Sequence, residues 1–321
     1  MPRLASLRSG SRDGWLIAVD ADRSRFLPVA GMTMQSALER WDTTVELLDG
    51  LDAELRAGIG AAFDPSRVLA ALPRSYQWCE GSTYLSHMER CRAARGAALP
   101  PGHGTDPGVL QGSGDRFLAP TEAIPRGEAD WGLDLESTVA VIVADVPAGV
   151  SVTAAGGYVR LVVIVNDLTF RNLLPAEFAK GLGFFQAKPL RALSPLAVTP
   201  DALGPAWDGR LLRATMKTWR NGELLGALDT SADVAFDFPQ LISHAARTRP
   251  LAAGTVIGSG TVSNRDAARG VACLAEKRAL QIQSGESPSP YLDHGDVIRI
   301  EAFGADGESL FGAIESTVEA L

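Results

Sequence analysis

Asp134 and Glu136 stand two positions apart at the mouth of a dense apolar run, Val139-Ala140-Val141-Ile142-Val143. In a strand, residues i and i+2 project from the same face. That would set the two carboxylates roughly 6–7 Å apart. Like charges at that spacing resist desolvation, and a cation between them relieves the repulsion. A hard divalent ion suits such an all-oxygen pair. Taken alone, so common a pattern as D-x-E reads better as the solvated beginning of a strand with two surface acids. Two further acids border apolar stretches. Glu80 lies seven residues before His87, and Asp167 follows the run Arg160–Val165 and Asn166. Ser82 as N-cap and Gly96 as C′ residue predict a helix between them. It places Tyr84, His87, Met88 and Cys91 on one side. Without further context, His87 there is an ordinary buried histidine satisfied by a carbonyl. Arg90, Arg92 and Arg95 read as a solvated helix face.

These residues need elements to hold them. Trp15–Val19 and Arg25–Val29 flank DADRS as a hairpin, and Thr33–Leu48 has helical spacing with Gly50 as its terminator. Asp52–Ala62 reads as a second, shorter helical piece. Residues 1 to about 70 are expected to form a small N-terminal α/β domain, and 71–321 a larger one. Val139–Val143 and Arg160–Val165 read as buried strands. Asn221-Gly222 between Ala214–Trp219 and Glu223–Leu228 is a strong hairpin signal. Asp296–Phe303 and Ser309–Ile314 predict a closing hairpin. Strands dominate after Trp131 without regular βαβ alternation, which argues against a Rossmann or TIM fold and for an α+β class. The Gly/Pro-rich Pro100–Asp115 is a candidate lid.

The chain has 321 residues, 46% hydrophobic and 21% charged, with net charge -8. These are globular proportions. The negative charge argues against a general nucleic-acid binder and against an anionic membrane surface. No apolar run is long enough to span a bilayer, and the N-terminus lacks the apolar core of a signal peptide. Cys79, Cys91 and Cys273 show no C-x-x-C spacing, so free thiols in a reducing cytoplasm are expected.

In order and spacing, the pieces together resemble the fumarylacetoacetate hydrolase family. They are Glu80-x6-His87, Leu133-Asp134-Leu135-Glu136 before a strand, VNDLTFR ending at Arg171, Lys188 in a Gly/Pro-punctuated segment, GTVIGSG from Gly254 and the late GDVIRIEAFG. The resemblance covers most of the chain after about Tyr76. It implies a mixed β-sandwich roll, usually in a homodimer, and a Mg²⁺ site (or Ca²⁺, Mn²⁺) built from Glu80, Asp134, Glu136 and Asp167. It further implies His87 as the base that activates water, oriented by Glu276. Arg171 and Lys188 would hold a substrate carboxylate or an oxyanion. Leu110, Gln111 and Thr255 would line the pocket. The implied reaction is hydrolysis of a C–C bond in a 1,3-diketo acid, acylpyruvate or fumarylacetoacetate-like.

The chain departs from the family pattern in places. Glu80 stands where many members have aspartate, Asp134 where a glutamate is common, and Leu110 where a tyrosine would be expected. Asn172-Leu173-Leu174 lacks a glutamine after Arg171. Two alternatives therefore stand beside hydrolysis. One is a metal-dependent dehydratase, isomerase or decarboxylase of a 2-keto acid. The other is a non-catalytic keto-acid-binding member. His87 with Glu276 favours hydrolysis.

Overall fold

The apolar run at Val139–Val143 is unbroken because its strand is buried on both faces. Val139, Val141 and Val143 enter one core, with Val162, Ile164, Met216 and Ile300. Ala140 and Ile142 point the other way into a second core, with Leu161, Val163, Leu16 and Leu38. A strand covered on both sides has no solvent face to make polar. The computed structural model describes residues Met1–Ala320.

The N-terminal part contributes β1 (Arg3–Leu7), β2 (Trp15–Val19), β3 (Arg25–Pro28) and β4 (Ala61–Ala62), hydrogen-bonded in that order. Helices α1 (Met34–Glu39) and α2 (Trp41–Arg56) lie between β3 and β4. The expected single helix is thus two, divided at Arg40, and Gly50 sits inside α2 rather than ending it. Leu48 and Leu55 bury on either side of that glycine, so packing outweighs its weak propensity. Next come β5 (Trp78–Gly81), α3 (Leu85–Ala93), β6 (Val109–Gly112), β7 (Ile124–Pro125), β8 (Leu133–Asp134) and β9 (Ser137–Val143). The N-cap of α3 is Tyr84, not Ser82. Part of the candidate lid is the edge strand β6, paired to β5. The chain continues through α4 (Val152–Ala155), β10 (Val159–Asp167), β11 (Thr169–Phe170), α5 (Leu174–Lys180), β12 (Arg191–Leu193) and α6 (Pro200–Leu203). It ends with β13 (Thr215–Arg220), β14 (Glu223–Asp229), α7 (Phe238–Ala245), β15 (Val256–Thr261), α8 (Leu274–Gln283), β16 (Val297–Phe303) and β17 (Ile314–Glu319).

The central sheet has the order β12-β10-β9-β15-β5-β6, and a second sheet has β14-β13-β16-β17-β7. The first core lies between these two sheets, and the second between the central sheet and the N-terminal part. This is the α+β sandwich-type catalytic domain with an N-terminal domain that the sequence implied. The β13–β14 hairpin turns at Asn221 and Gly222, both at positive φ (53° and 79°), as the Asn-Gly pair requires. The last hairpin is longer than expected: Ser309 makes only a bridge to Phe303, and β17 begins at Ile314. Among the described residues no helix is long and apolar enough to cross a membrane.

Candidate active site

Three carboxylates meet where the central sheet ends. Glu80 comes from β5, Glu136 from the residues just before β9, and Asp167 from the last position of β10. Each offers an oxygen within 4.8 Å of the others, and all three residues are buried. Gly260 helps bring β5 and β15 this close. It stands at φ 81°, and a Cβ there would lie 2.2 Å from the Gly81 carbonyl oxygen.

Lys188 sits among the acids. Its Nζ donates to Glu136 Oε2 at 2.5 Å and Asp167 Oδ2 at 2.6 Å, and reaches Glu80 Oε2 at 3.4 Å. Arg171 Nη2 donates to Glu136 Oε1 at 2.5 Å. Arg191 is fully buried and donates from Nε to Asp167 Oδ1 at 2.8 Å, with its guanidinium over the Trp78 ring. Burial penalises all of these charges, and the pairing decides the outcome. Burial works against the Glu136 carboxylate, but Arg171 and Lys188 hold its pKa down to about 2. Asp167 is likewise lowered, with Lys188 and Arg191 overriding burial. The same acids raise Lys188 against its burial. Glu80 goes the other way. Burial and the neighbouring Asp167 charge push it well above the ordinary range.

Asp134 does not join this group. β8 ends at Asp134 and β9 starts at Ser137, so Leu135 and Glu136 lie outside both strands. The Glu136 amide donates to Asn166 Oδ1 at 3.1 Å instead of continuing a ladder. The two carboxylates still come together, but the cation between them is Arg171, whose Nε meets Asp134 and whose Nη2 meets Glu136. Asp134 turns to the start of α8, where it accepts from the amides of Leu274 (2.7 Å) and Ala275 (2.9 Å). Arg171 Nε adds a third bond at 2.8 Å. A carboxylate on unpaired N-terminal amides is stabilised by the helix dipole, so Asp134 anchors the helix that carries Glu276.

His87 on α3 meets Glu276 on α8. Nδ1 lies 3.1 Å from Oε2. The other oxygen of Glu276 accepts from Arg90 and, at 2.8 Å, from Ser263 Oγ. Burial would raise the Glu276 pKa, and the bonds from His87, Arg90 and Ser263 lower it instead. With Nδ1 engaged, Nε2 is the ring nitrogen left to take a proton. The sulfurs of Cys91 and Cys273 lie 3.9 and 3.8 Å from Nδ1. Burial opposes the imidazolium, while thiolate charge on those cysteines would raise His87 well above its ordinary pKa. Burial lifts the Cys273 thiol to about 12. At neutral pH that sulfur is uncharged, and its part of the lift is withheld.

The remaining sequence candidates divide. Leu110 pairs with Glu80 across the β5–β6 ladder and shares its face, whereas Gln111 pairs with Cys79 and is exposed. Thr255 lies outside the acid group: it precedes the β15 residue Gly258 that pairs with Glu80, and its hydroxyl donates to the Ala252 carbonyl. Sequence reading missed Arg90, Arg191, Ser263 and Cys273. For Arg90 a signal existed, since residues three apart share a helix face and His87 is three before it. Arg191 and Ser263 carry no local pattern.

Residues 77–319 match the family model described as fumarylacetoacetate (FAA) hydrolase C-terminal, and residues 2–74 match fumarylacetoacetase N-terminal domain 2. The chain belongs to the fumarylacetoacetate hydrolase family. The oxaloacetate tautomerase YisK of Bacillus subtilis is 26% identical over 223 residues, 69% of this chain and 64% of that protein. The match thus spans less than two thirds of the curated relative's length. The fumarylacetoacetate hydrolase of Exiguobacterium antarcticum superimposes with TM-score 0.67 at 20% identity over 100% of both chains. The maleylpyruvate hydrolase of Sphingobium sp. SYK-6, solved with manganese(II) and pyruvate, does so with TM-score 0.65 at 19% identity over 99% of both chains. These two share the fold. In this fumarylacetoacetate hydrolase family chain, Glu80, Glu136 and Asp167 fit a divalent cation. The donors are all oxygen, they converge, and Glu80 is the acid that Lys188 reaches only at 3.4 Å.

Proposed function

We propose that this protein is a divalent-metal-dependent hydrolase that cleaves a C–C bond in an acylpyruvate or fumarylacetoacetate-like 1,3-diketo acid. The observation that carries the reading is the His87 Nδ1–Glu276 Oε2 contact of 3.1 Å, a base held by an acid as in hydrolytic triads. Glu80, Glu136 and Asp167 would hold Mg²⁺, or Ca²⁺ or Mn²⁺ in its place. The ion, when bound, supplies Lewis-acid polarisation of the substrate's oxygens. His87 Nε2 takes a proton from water, and Glu276 steadies the imidazolium. The hydroxide adds to the acyl carbonyl, and Arg171 with Lys188 stabilises the oxyanion. The C–C bond breaks toward the pyruvate side, whose carbanionic carbon takes the proton back from His87. One water is consumed, giving a carboxylic acid and a 2-keto acid. Asp134 keeps Arg171 and α8 in place. The same reading includes a homodimer working on a free keto acid in the cytoplasm, with neither nucleic acid nor membrane as partner.

A second reading draws on the tautomerase relative. The same dyad could move a proton between carbon and oxygen without water attacking. A small acylpyruvate incubated with Mg²⁺ or with excess EDTA separates the two. Metal-dependent release of pyruvate supports hydrolysis. Loss of enol absorbance without pyruvate supports tautomerisation. No change in either sample removes both.

A further inference from the structure

The structure assigns a second metal site, distinct from the carboxylate group. We infer that His87, Cys273 and Glu276, joined by Cys91, bind a borderline-soft divalent cation such as Zn²⁺, and that its binding takes His87 out of service. The donor atoms of His87, Cys273 and Glu276 lie within 4.8 Å of one another. Measured from His87 Nδ1, Glu276 Oε2 is at 3.1 Å, Cys273 Sγ at 3.8 Å and Cys91 Sγ at 3.9 Å. Bonds of ~2.0 Å to nitrogen or oxygen and ~2.3 Å to sulfur at tetrahedral angles separate ligands by ~3.3–3.6 Å. The spans from His87 Nδ1 need only small adjustments to meet this, while Cys91 would have to swing its sulfur toward the Cys273–Glu276 side. Cys91 is on α3, one helical turn after His87. Cys273 caps α8, its Sγ accepting the Glu276 amide. Two helices thus present a nitrogen, a carboxylate oxygen and one sulfur to one point, with the Cys91 sulfur beside the His87 ring at 3.9 Å from each nitrogen.

Charge favours the ion as well. Two thiolates and the Glu276 carboxylate balance Zn²⁺ together with the Arg90 guanidinium, which is bonded to the second Glu276 oxygen. The opposing effect is the Cys273 proton, which burial holds firmly. Direct coordination removes such a proton outright. Sulfur and imidazole select Zn²⁺, whereas the all-oxygen group selects a hard ion. The two sites therefore take different metals. An ion on Nδ1 breaks the His87–Glu276 contact. Binding itself does not depend on the hydrolase reading; only the loss of turnover does.

Reduced, metal-free protein titrated with Co²⁺ alone tests the site without any substrate. The expected result is a thiolate-to-cobalt charge-transfer band with intense visible bands of tetrahedral cobalt. Cys273→Ser, which keeps a capping oxygen, should lose the charge-transfer intensity, and Cys91→Ser should reduce it. Cys79→Ser and Glu136→Gln should leave it. No charge-transfer band in the wild type, or a band that survives in Cys273→Ser, overturns the assignment. If pyruvate release is observed, Zn²⁺ inhibition of the Mg²⁺-supported rate should weaken by at least ~10–100-fold in Cys273→Ser, the range seen for groups that only orient ligands. Inhibition unchanged in Cys273→Ser and Cys91→Ser would place Zn²⁺ on the carboxylates and also overturn it.

Discussion

Replacing Lys188 with methionine leaves three carboxylates facing one another with one cation fewer. Lys188 is only 7% exposed, and its Nζ lies 2.5 and 2.6 Å from Glu136 and Asp167. Removing one partner of a buried ion pair costs ~3–5 kcal/mol. Arg171 and Arg191 still hold one oxygen each of Glu136 and Asp167, so the lower end, ~3 kcal/mol, is expected for metal-free protein. The pH dependence follows from Glu136, lowered from 4.5 to about 2. A lowered folded-state pKa contributes stability above the unfolded value, and that stability is lost as pH falls through the folded value. The gap between wild type and Lys188→Met should therefore be full above pH 4.5 and narrow from there to about 2. Urea unfolding in EDTA, followed by tryptophan fluorescence, measures it. Repeating the titration at one fixed, saturating Mg²⁺ concentration should recover more stability in the variant, by about 1.4 kcal/mol for each tenfold by which the freed carboxylates bind the ion more tightly. Equal midpoints for both proteins at neutral pH without metal would refute the electrostatic account.

Glu80→Gln should raise the neutral-pH urea midpoint of the metal-free protein while weakening Mg²⁺ in calorimetry by at least the ~10–100-fold seen for groups that only orient ligands. Burial and Asp167 hold the Glu80 pKa well above 4.5 in the fold, so wild-type stability falls as pH rises above 4.5, and glutamine has no proton to lose. A lower midpoint in the variant would contradict that sign. Asp134→Asn should cost ~1.5–3 kcal/mol through its bonds to Arg171 and the α8 amides, yet leave Mg²⁺ affinity nearly unchanged. Asp167→Asn should abolish Mg²⁺ binding, and equal metal loss in the two would return Asp134 to the ligand set. Glu276→Gln should lower kcat for acylpyruvate cleavage by ~10²–10⁴-fold without changing Mg²⁺ affinity. A change confined to KM would mean that the dyad binds substrate rather than moving a proton.

What could be read from the sequence was what periodicity and order carry. The two-sided strands announced themselves because Val139–Val143 and Val162–Val165 leave no polar position, and Asn221-Gly222 because few other pairs adopt two positive φ values. Glu80 and Asp167 stand out by their places beside apolar runs, whereas His87 takes its role only from the family resemblance. Asp134 lies beside the three-carboxylate group rather than in it, for a definite reason. The period of two holds only inside a strand, and here β8 ends at Asp134, the Glu136 amide is caught by the Asn166 side chain, and Asp134 is drawn to the α8 amides. Gly50 was misread because helix propensity is weak against the packing of Leu48 and Leu55. The cations could not be placed from local pattern. Arg90 finds Glu276 186 positions away, and Lys188 finds Glu80 108 positions away. The carboxylates imply a cation, and of its protein sources only Arg171, four residues after Asp167, lies near them in sequence. Lys188, Arg171 and Arg191 show that much of that charge is already balanced within the protein. What remains for an ion to satisfy is Glu80, the carboxyl pushed furthest from its charged form. Glu80→Gln therefore tests the site from the acid that the protein leaves least balanced, and Asp167→Asn from the acid that its own cations already hold.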